Sequence, residues 1–266
     1  MPKVSVIIPA FNPGELIDEA VRSALAQTVS DIEVIVVDDG GAEDLTRLNL
    51  DERVILMRHA NRGVSVTRNI AAAKANAEIL AFLDQDDAWL PAKLERQLEH
   101  MDRATWSYTA FDWFARDGST YRGSAVRPDL QTFLEDGHIC LSSLVIRRDV
   151  FLAAGGFHPL LRQLQDADLF ARLFAMGEPA APIAESLVRV RLHERNASLD
   201  YRRGFVERMA LLDLYSYPSR RAWRRLYGAQ AFDAFRSSRD PRDMATAVRL
   251  SPHLVLSQLV RFARGK

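Results

Sequence analysis

Along residues 1–90, short and largely apolar runs alternate with longer segments whose apolar residues recur every three or four positions. The short runs are Val4 to Ile8, Ile32 to Val37, Arg53 to His59 and Glu78 to Leu83. Their brevity and β-branched content predict strands, buried on both faces where the run is unbroken. Between them, Leu16, Ile17, Ala20, Val21, Ala24 and Leu25 fall on one face of a helix, and the alanine-rich stretch Val64 to Ala77 predicts a second. Asn12 followed by Pro13 predicts the start of the first helix, because Asn caps well and Pro is tolerated at the first helical position. The order β-α-β-β-α-β predicts an α/β domain with a largely parallel sheet. Asn12, Asp38, Asp39, Asn61 and the run Asp84 to Asp87 then fall just beyond the carboxyl ends of strands, the edge at which open α/β sheets bind ligands.

The middle of the chain is less regular. Thr105 to Ala115 alternates in part and is aromatic, which predicts strands, some antiparallel. Ile139 to Phe157 reads as a strand and a short helix stopped at Gly155-Gly156. Asp166 to Gly177 predicts a helix with Leu169, Phe170, Leu173 and Phe174 on one side, and Glu185 to His193 a further strand. From Tyr201 the pattern is helical with arginine-rich faces. Two domains are therefore expected, residues 1–200 and a basic helical region over 201–266.

Composition changes this picture in one respect. A hydrophobic content of 48% and a charged content of 26% are ordinary for a globular protein, and one cysteine, Cys140, excludes an intrachain disulfide. The formal net charge of zero, however, conceals a division. Residues 201–266 hold 14 Lys/Arg against 5 Asp/Glu, leaving 21 against 30 for residues 1–200. The apolar run at Val4 to Ile8 is too short for a secretory signal, and no stretch reaches the roughly 18 apolar residues of a membrane span. A cytoplasmic protein is expected, with the basic region suited to peripheral contact at the inner face of an anionic membrane. The plainer alternative packs these helices on residues 1–200 with arginines in water. Nucleic acid is not an expected partner, because the aromatics lie on apolar helix faces.

The chemistry concentrates in acidic clusters. Asp84, Asp86 and Asp87 occupy three of four consecutive positions after an apolar run. On an extended segment Asp84 and Asp86 would face one side and suit a hard divalent cation; alternatively, Asp86 or Asp87 caps the helix that starts near Pro91. Asp39 can accept a ring N–H from uracil, thymine or guanine, or belong to a turn that favours Asp and Gly. Asp166 stands near a helix start, where acids are routine. His193 follows a strand, where a lone histidine is more often structural than a ligand. No G-x-G-x-x-G follows the first strand and no G-x-x-x-x-G-K-[ST] occurs anywhere, which argues against a dinucleotide fold and a P-loop.

Together, "VSVIIPAFN", "SALAQTVSDIEVIVVDDGG", "NRGVSVTRNIAAAKANAEILAFLDQDDAWLP" and "QDADLFARLFAMG" resemble the inverting nucleotide-sugar glycosyltransferases of family 2, over about Pro2 to Ser198. The resemblance implies a GT-A fold: a Rossmann-like, mostly parallel sheet flanked by helices, here with a C-terminal helical extension. It implies a nucleoside-diphosphate sugar donor, UDP- or dTDP-linked in preference, and a glycan or lipid-linked acceptor in cell-surface polysaccharide biosynthesis. By the same resemblance Pro9, Phe11, Asn12, Asp39, Asn61, Arg68 and Asp84 would line the nucleotide, Asp86 and His193 would meet Mn²⁺ or Mg²⁺, and Asp166 would be the catalytic base. Two positions depart from the family pattern: Gly41 stands where "DDGS" has serine, and Gln165 where "ED" has glutamate. A neutral Gln165 leaves the base a weaker proton acceptor. It also motivates the alternative of a non-catalytic nucleotide-sugar or glycan-binding protein. A nucleotidyltransferase would share the plan, but "PAFNPGE" lacks the glycine- and basic-rich stretch expected after its first strand.

Overall fold

The computed structural model describes residues 2–48, 51–114, 118–123, 129–136, 139–192, 201–215 and 240–252, with isolated positions between 224 and 235 and at 255–256. In chain order its elements are β1 Val4–Ala10, α1 Leu16–Leu25, β2 Ile32–Asp38, β3 Val54–Arg58, α2 Val64–Lys74, β4 Ile79–Phe82, β5 Ala88–Trp89, α3 Lys93–Leu98, β6 Trp106–Phe114, β7 Thr120–Gly123, α4 Leu130–Asp136, β8 Val145–Arg147, α5 Arg148–Ala153, α6 Gln165–Ala175, β9 Ala180–Arg191, α7 Tyr201–Leu214 and, numbered here α8, Pro241–Leu250. The chain divides into two compact units, one of residues 1–133 and 137–194, the other of 134–136 and 195–266.

The first unit is built on one sheet in the order β3-β2-β1-β4-β8-β6-β9-β5, with β7 added to β6. β1 pairs in parallel with β2 and β4, and β2 with β3. Every residue of β1 and β2 is buried, as their unbroken apolar sequences demand. Beyond β4 the direction changes: β8 is antiparallel to β4 and β6, while β6 and β9 run parallel. The first half thus has the α/β plan read from periodicity. The second half is mixed, so the sheet combines parallel and antiparallel strands.

Two local expectations are corrected. Helix α1 begins at Leu16 with Glu15 at its cap and no side-chain capping bond. Asn12 instead takes a left-handed conformation, φ 46°, and its Oδ1 accepts the Ala42 N–H at 2.7 Å. Asn12 therefore joins the ends of β1 and β2. Strand β9 starts at Ala180, well before Glu185, because β6 pairs with it along its whole length across register shifts at Thr109 to Phe111.

At the opposite edge of the sheet a buried carboxylate fixes the start of three strands. Glu33 on β2 accepts from Ser5 Oγ at 2.5 Å, from the Asn76 backbone N–H at 2.6 Å and from Asn76 Nδ2 at 2.8 Å. Burial pushes the Glu33 carboxyl up, but the bonds from Ser5 and Asn76 outweigh it and hold it below the ordinary glutamate value. Further along, Trp106 of β6 stacks on Phe170 of α6 and meets Phe174 edge-on, anchoring the helix that carries Asp166.

In the second unit, α8 opens with Asp240, whose Oδ1 accepts the Arg242 N–H at 2.8 Å ahead of Pro241. Leu211 and Leu212 of α7 are buried, whereas Val206 and Leu214 stand 65% and 70% exposed. The helical spacing of Ala222, Trp223, Leu226, Tyr227, Ala231 and Phe235 predicts one apolar face; the first three lie outside the described residues, Tyr227 and Ala231 are buried and Phe235 is half-buried. Among the described residues no helix is long and apolar enough to cross a membrane.

Candidate active site

Three strand ends assemble the site. After β1, Pro9 is buried in the strand and Phe11 presents its ring, 46% exposed. The Phe11 N–H donates to Gln85 Oε1 at 2.8 Å, so the loops after β1 and β4 are tied together. After β2, Asp38 accepts the Gly41 N–H at 2.8 Å and lies 3.4 Å from the Arg58 guanidinium. Asp39 is buried; its two oxygens accept the backbone N–H groups of Arg62 at 2.7 Å and Gly63 at 2.9 Å, and His59 Nδ1 lies 3.4 Å away. Asp39 thus holds the loop that leads into α2 and carries the exposed Asn61. Gly40, with φ 76°, lets the chain approach this loop: a Cβ there would stand 2.7 Å from the Asn61 nitrogen.

After β4, the acidic run is a turn and not an extended segment. The Asp87 N–H donates to the Asp84 carbonyl at 3.2 Å, which closes residues 84–87 and sends the acids in different directions. None of them caps α3, whose cap position is Ala92. Asp87 turns inward and is buried, accepting from Ser142 Oγ at 2.6 Å and from the Arg191 N–H at 3.1 Å. Burial pushes its carboxyl well above the ordinary aspartate range, and the nearby Asp84 and Asp86 push it further. The same Ser142 hydroxyl accepts the Asp84 N–H at 3.1 Å, so one side chain holds both ends of the turn.

Asp84 and Asp86 remain half-buried at the rim. The Asp84 carboxylate is paired with Arg68 of α2, which is buried and reaches Asp84 through Nη2. Arg68 Nε and Nη1 have no hydrogen-bond partner, and its guanidinium stands 5.4 Å from the centre of the Phe157 ring. Arg191, at the end of β9, donates from Nε to the Asp86 carbonyl at 3.2 Å.

Asp166 occupies the first turn of α6, half-buried, with Oδ1 accepting the Ala167 N–H at 2.7 Å. Its neighbours differ from it: Asp168 is buried in an ion pair with Arg172 at 2.6 Å, and Gln165 Oε1 is buried without a hydrogen-bond partner. Cys140 connects the two acidic regions. Its thiol is buried and pushed well above the ordinary range, first by burial, then by Asp87 and Asp84, with a smaller push from Asp166. The acidic turn and the start of α6 therefore lie within electrostatic reach of one buried atom. His193 lies outside the described residues, one position beyond Leu192.

No group of three or more His, Cys, Asp or Glu side chains is arranged as a metal cage among the described residues. Mg²⁺ and Mn²⁺ do not require one: one or two carboxylates with substrate phosphates and water complete their shell. An acidic turn at the rim, with Asp84 and Asp86 exposed in part, fits that mode of binding.

Ser142, Gln85 and Arg191 carry much of this arrangement and were not singled out from sequence. Ser142 sits in an apolar stretch with no signal beyond its hydroxyl. Gln85 is the variable middle of D-x-D. Arg191 was visible only as a charged residue alternating along a strand.

The model of glycosyl transferase family 2 matches residues 5–152, more than half of the chain and all three strand ends. The chain belongs to glycosyl transferase family 2. It is 32% identical over 210 residues to TuaG of Bacillus subtilis, named for teichuronic acid biosynthesis, a match covering 74% of this chain and 82% of TuaG. Over 106 residues it is 36% identical to WfaP of Escherichia coli, named as a UDP-Glc:α-D-GlcNAc-diphosphoundecaprenol β-1,3-glucosyltransferase, covering 38% of this chain and 42% of that protein. The match covers between 18% and 35% of four other glycosyltransferase relatives. Among solved structures, TarS 1–349 of S. aureus in complex with UDP-GlcNAc superimposes with a TM-score of 0.63 at 16% identity, over 93% of this chain and 79% of that one. That likeness establishes the fold, a GT-A sheet with flanking helices, for this glycosyltransferase.

Proposed function

We propose that this family 2 glycosyltransferase moves a sugar, with inversion, from a UDP- or dTDP-sugar to a hydroxyl of a glycan or lipid-linked acceptor in cell-surface polysaccharide synthesis. The observation that carries the reading is the gathering of the ends of β1, β2 and β4 at the carboxyl edge of the sheet, where Phe11 is tied to Gln85, Asn12 to Ala42 and Asp84 to Arg68. The names of TuaG and WfaP, and the UDP-GlcNAc bound by TarS, support the class of donor and acceptor.

In this reading the exposed Phe11 ring is a stacking surface for the base or ribose, and Asp39 keeps the lone pairs not used on Arg62 and Gly63 for a base N–H. Pro9, Asn12 and Asn61 shape the same rim. Arg68 acts through Asp84, holding its carboxylate where the ribose and diphosphate would lie. Asp86 and, as the family resemblance implies, His193 would hold a divalent cation, Mn²⁺ or Mg²⁺, which would supply positive charge against the leaving diphosphate. Asp166 accepts the proton of the acceptor hydroxyl, which attacks the anomeric carbon from the face opposite the leaving group.

Asp166→Asn should retain UDP affinity and lose transfer by about 10²-fold or more. Unchanged turnover on the true acceptor removes Asp166 from the base role. A second reading, a nucleotide-sugar or glycan-binding protein without catalysis, is favoured only by Gln165 in the glutamate position; donor hydrolysis or transfer by the wild-type chain excludes it. Residues 201–266, with their excess of arginine, would make peripheral contact with an anionic membrane, which suits a lipid-linked acceptor.

A further inference from the structure

Arg191 is the last residue of β9, and it engages four partners from three other parts of the first unit. Its Nε donates to the Asp86 carbonyl at 3.2 Å, and its backbone N–H donates to Asp87 Oδ1 at 3.1 Å. Its Nη2 is paired with Glu19 of α1, and the guanidinium lies 4.4 Å from the centre of the Phe114 ring of β6. The side chain is only 18% exposed, so these contacts compete little with water.

The acidic turn needs such a partner. Three carboxylates within four residues repel one another, and two of them are already fixed, Asp84 by Arg68 and Asp87 by Ser142. Asp86 is the acid at the crest of the turn, between these two fixed ends. The Arg191 guanidinium donates to its carbonyl, while Nη2 is paired with Glu19 and the Phe114 ring centre lies 4.4 Å away. A planar, five-donor group can donate to Asp86 and Glu19 at once, whereas an ammonium supplies the charge without the fork.

We propose that Arg191 is a positioning residue of the donor site. It holds the backbone of Asp86 so that the Asp86 carboxylate meets the cation that accompanies a nucleoside diphosphate. This rests on the donor-site reading given above. Groups that hold a metal ligand in place typically cost 10–100-fold in metal affinity or activity when removed. Arg191→Lys separates field from geometry, because it keeps the charge and loses the fork.

The test is calorimetric titration of UDP into the full chain with and without Mn²⁺, for wild type, Arg191→Lys and Arg191→Met, with melting temperatures recorded alongside. The readout is the factor by which Mn²⁺ tightens UDP binding. The proposal expects that factor to fall about tenfold or more in both variants, with metal-free UDP binding unchanged. Glu19→Gln, at a half-exposed position, should give a smaller loss in the same direction and serves if the arginine variants fail to fold. An arginine that only glues β9 to the fold would lower the melting temperature and leave the factor intact, which overturns the proposal. A wild-type chain that binds UDP without any gain from Mn²⁺ overturns the donor-site reading and the proposal together.

Discussion

At the scale of the residue, the acidic run Asp84-Gln85-Asp86-Asp87 holds because no two of its acids have the same surroundings. Asp84 is neutralised by Arg68, Asp87 is drawn into the core by Ser142 and the Arg191 N–H, and Asp86 stays at the rim with its carbonyl held. Neighbouring substitutions should therefore have unlike effects. Asp86→Asn should leave the melting temperature near wild type and abolish the effect of Mn²⁺ on UDP binding. Asp87→Asn turns an amide toward a donor and should cost about 1–3 kcal/mol in denaturant unfolding. Equal destabilisation by both would contradict this division. Glu33 supplies a pH prediction away from the site. Its carboxyl is held below its ordinary value, so its contribution is full above the unfolded pKa and is lost as pH falls through the lowered folded value. Glu33→Gln should destabilise by about 1–3 kcal/mol near neutrality. The gap to wild type should close as the solution is taken below about pH 4, the unfolded glutamate range; a gap that stays constant well below that range would refute the assignment.

At the scale of the element, periodicity was sufficient wherever an element is defined by its own residues. The succession β1-α1-β2-β3-α2-β4 was legible because β1 and β2 are apolar at nearly every position and α1 has one apolar face. The insertion of β8 between β4 and β6, and the long parallel pairing of β6 with β9, were not legible, since they depend on partners far apart in the chain. Asn12 was misread for a related reason. Asn is suited equally to a helix cap and to a left-handed turn, and only the approach of Ala42 decides between them. That approach also explains Gly41 in place of serine: a Cβ there would lie 2.8 Å from Asn12 Oδ1 and 3.0 Å from the Asn12 nitrogen. Gly41→Ser should therefore destabilise by roughly 1–3 kcal/mol and weaken UDP binding, as thermal melts and titration of the variant would reveal. A neutral effect on both would show that the β1–β2 clasp has slack. The positions of the acidic run, the strand ends and the start of α6 are legible in sequence because charge is conspicuous there, whereas the turn that separates the three acids is not. Ser142 and Arg191 are not, because a buried hydroxyl and a strand arginine acquire meaning only from what they face.

At the scale of the whole molecule, charge divides the chain: residues 201–266 carry 14 Lys/Arg against 5 Asp/Glu, and the donor-site residues lie in the acidic remainder. If the basic part serves a lipid-linked acceptor, the full chain should sediment with vesicles containing an anionic lipid and not with neutral ones, and salt should reverse the binding. Equal recovery on both kinds of vesicle would contradict an electrostatic contact. The central claim is that a cation-assisted nucleotide site is built at the carboxyl edge of the sheet from the ends of β1, β2 and β4. It is tested most directly by calorimetric titration of UDP, dTDP and GDP into the wild-type chain, each with and without Mn²⁺. The account predicts tight, Mn²⁺-dependent binding of UDP or dTDP. Failure of all three to bind a chain shown to be folded would contradict it and leave the acidic turn with a structural role alone.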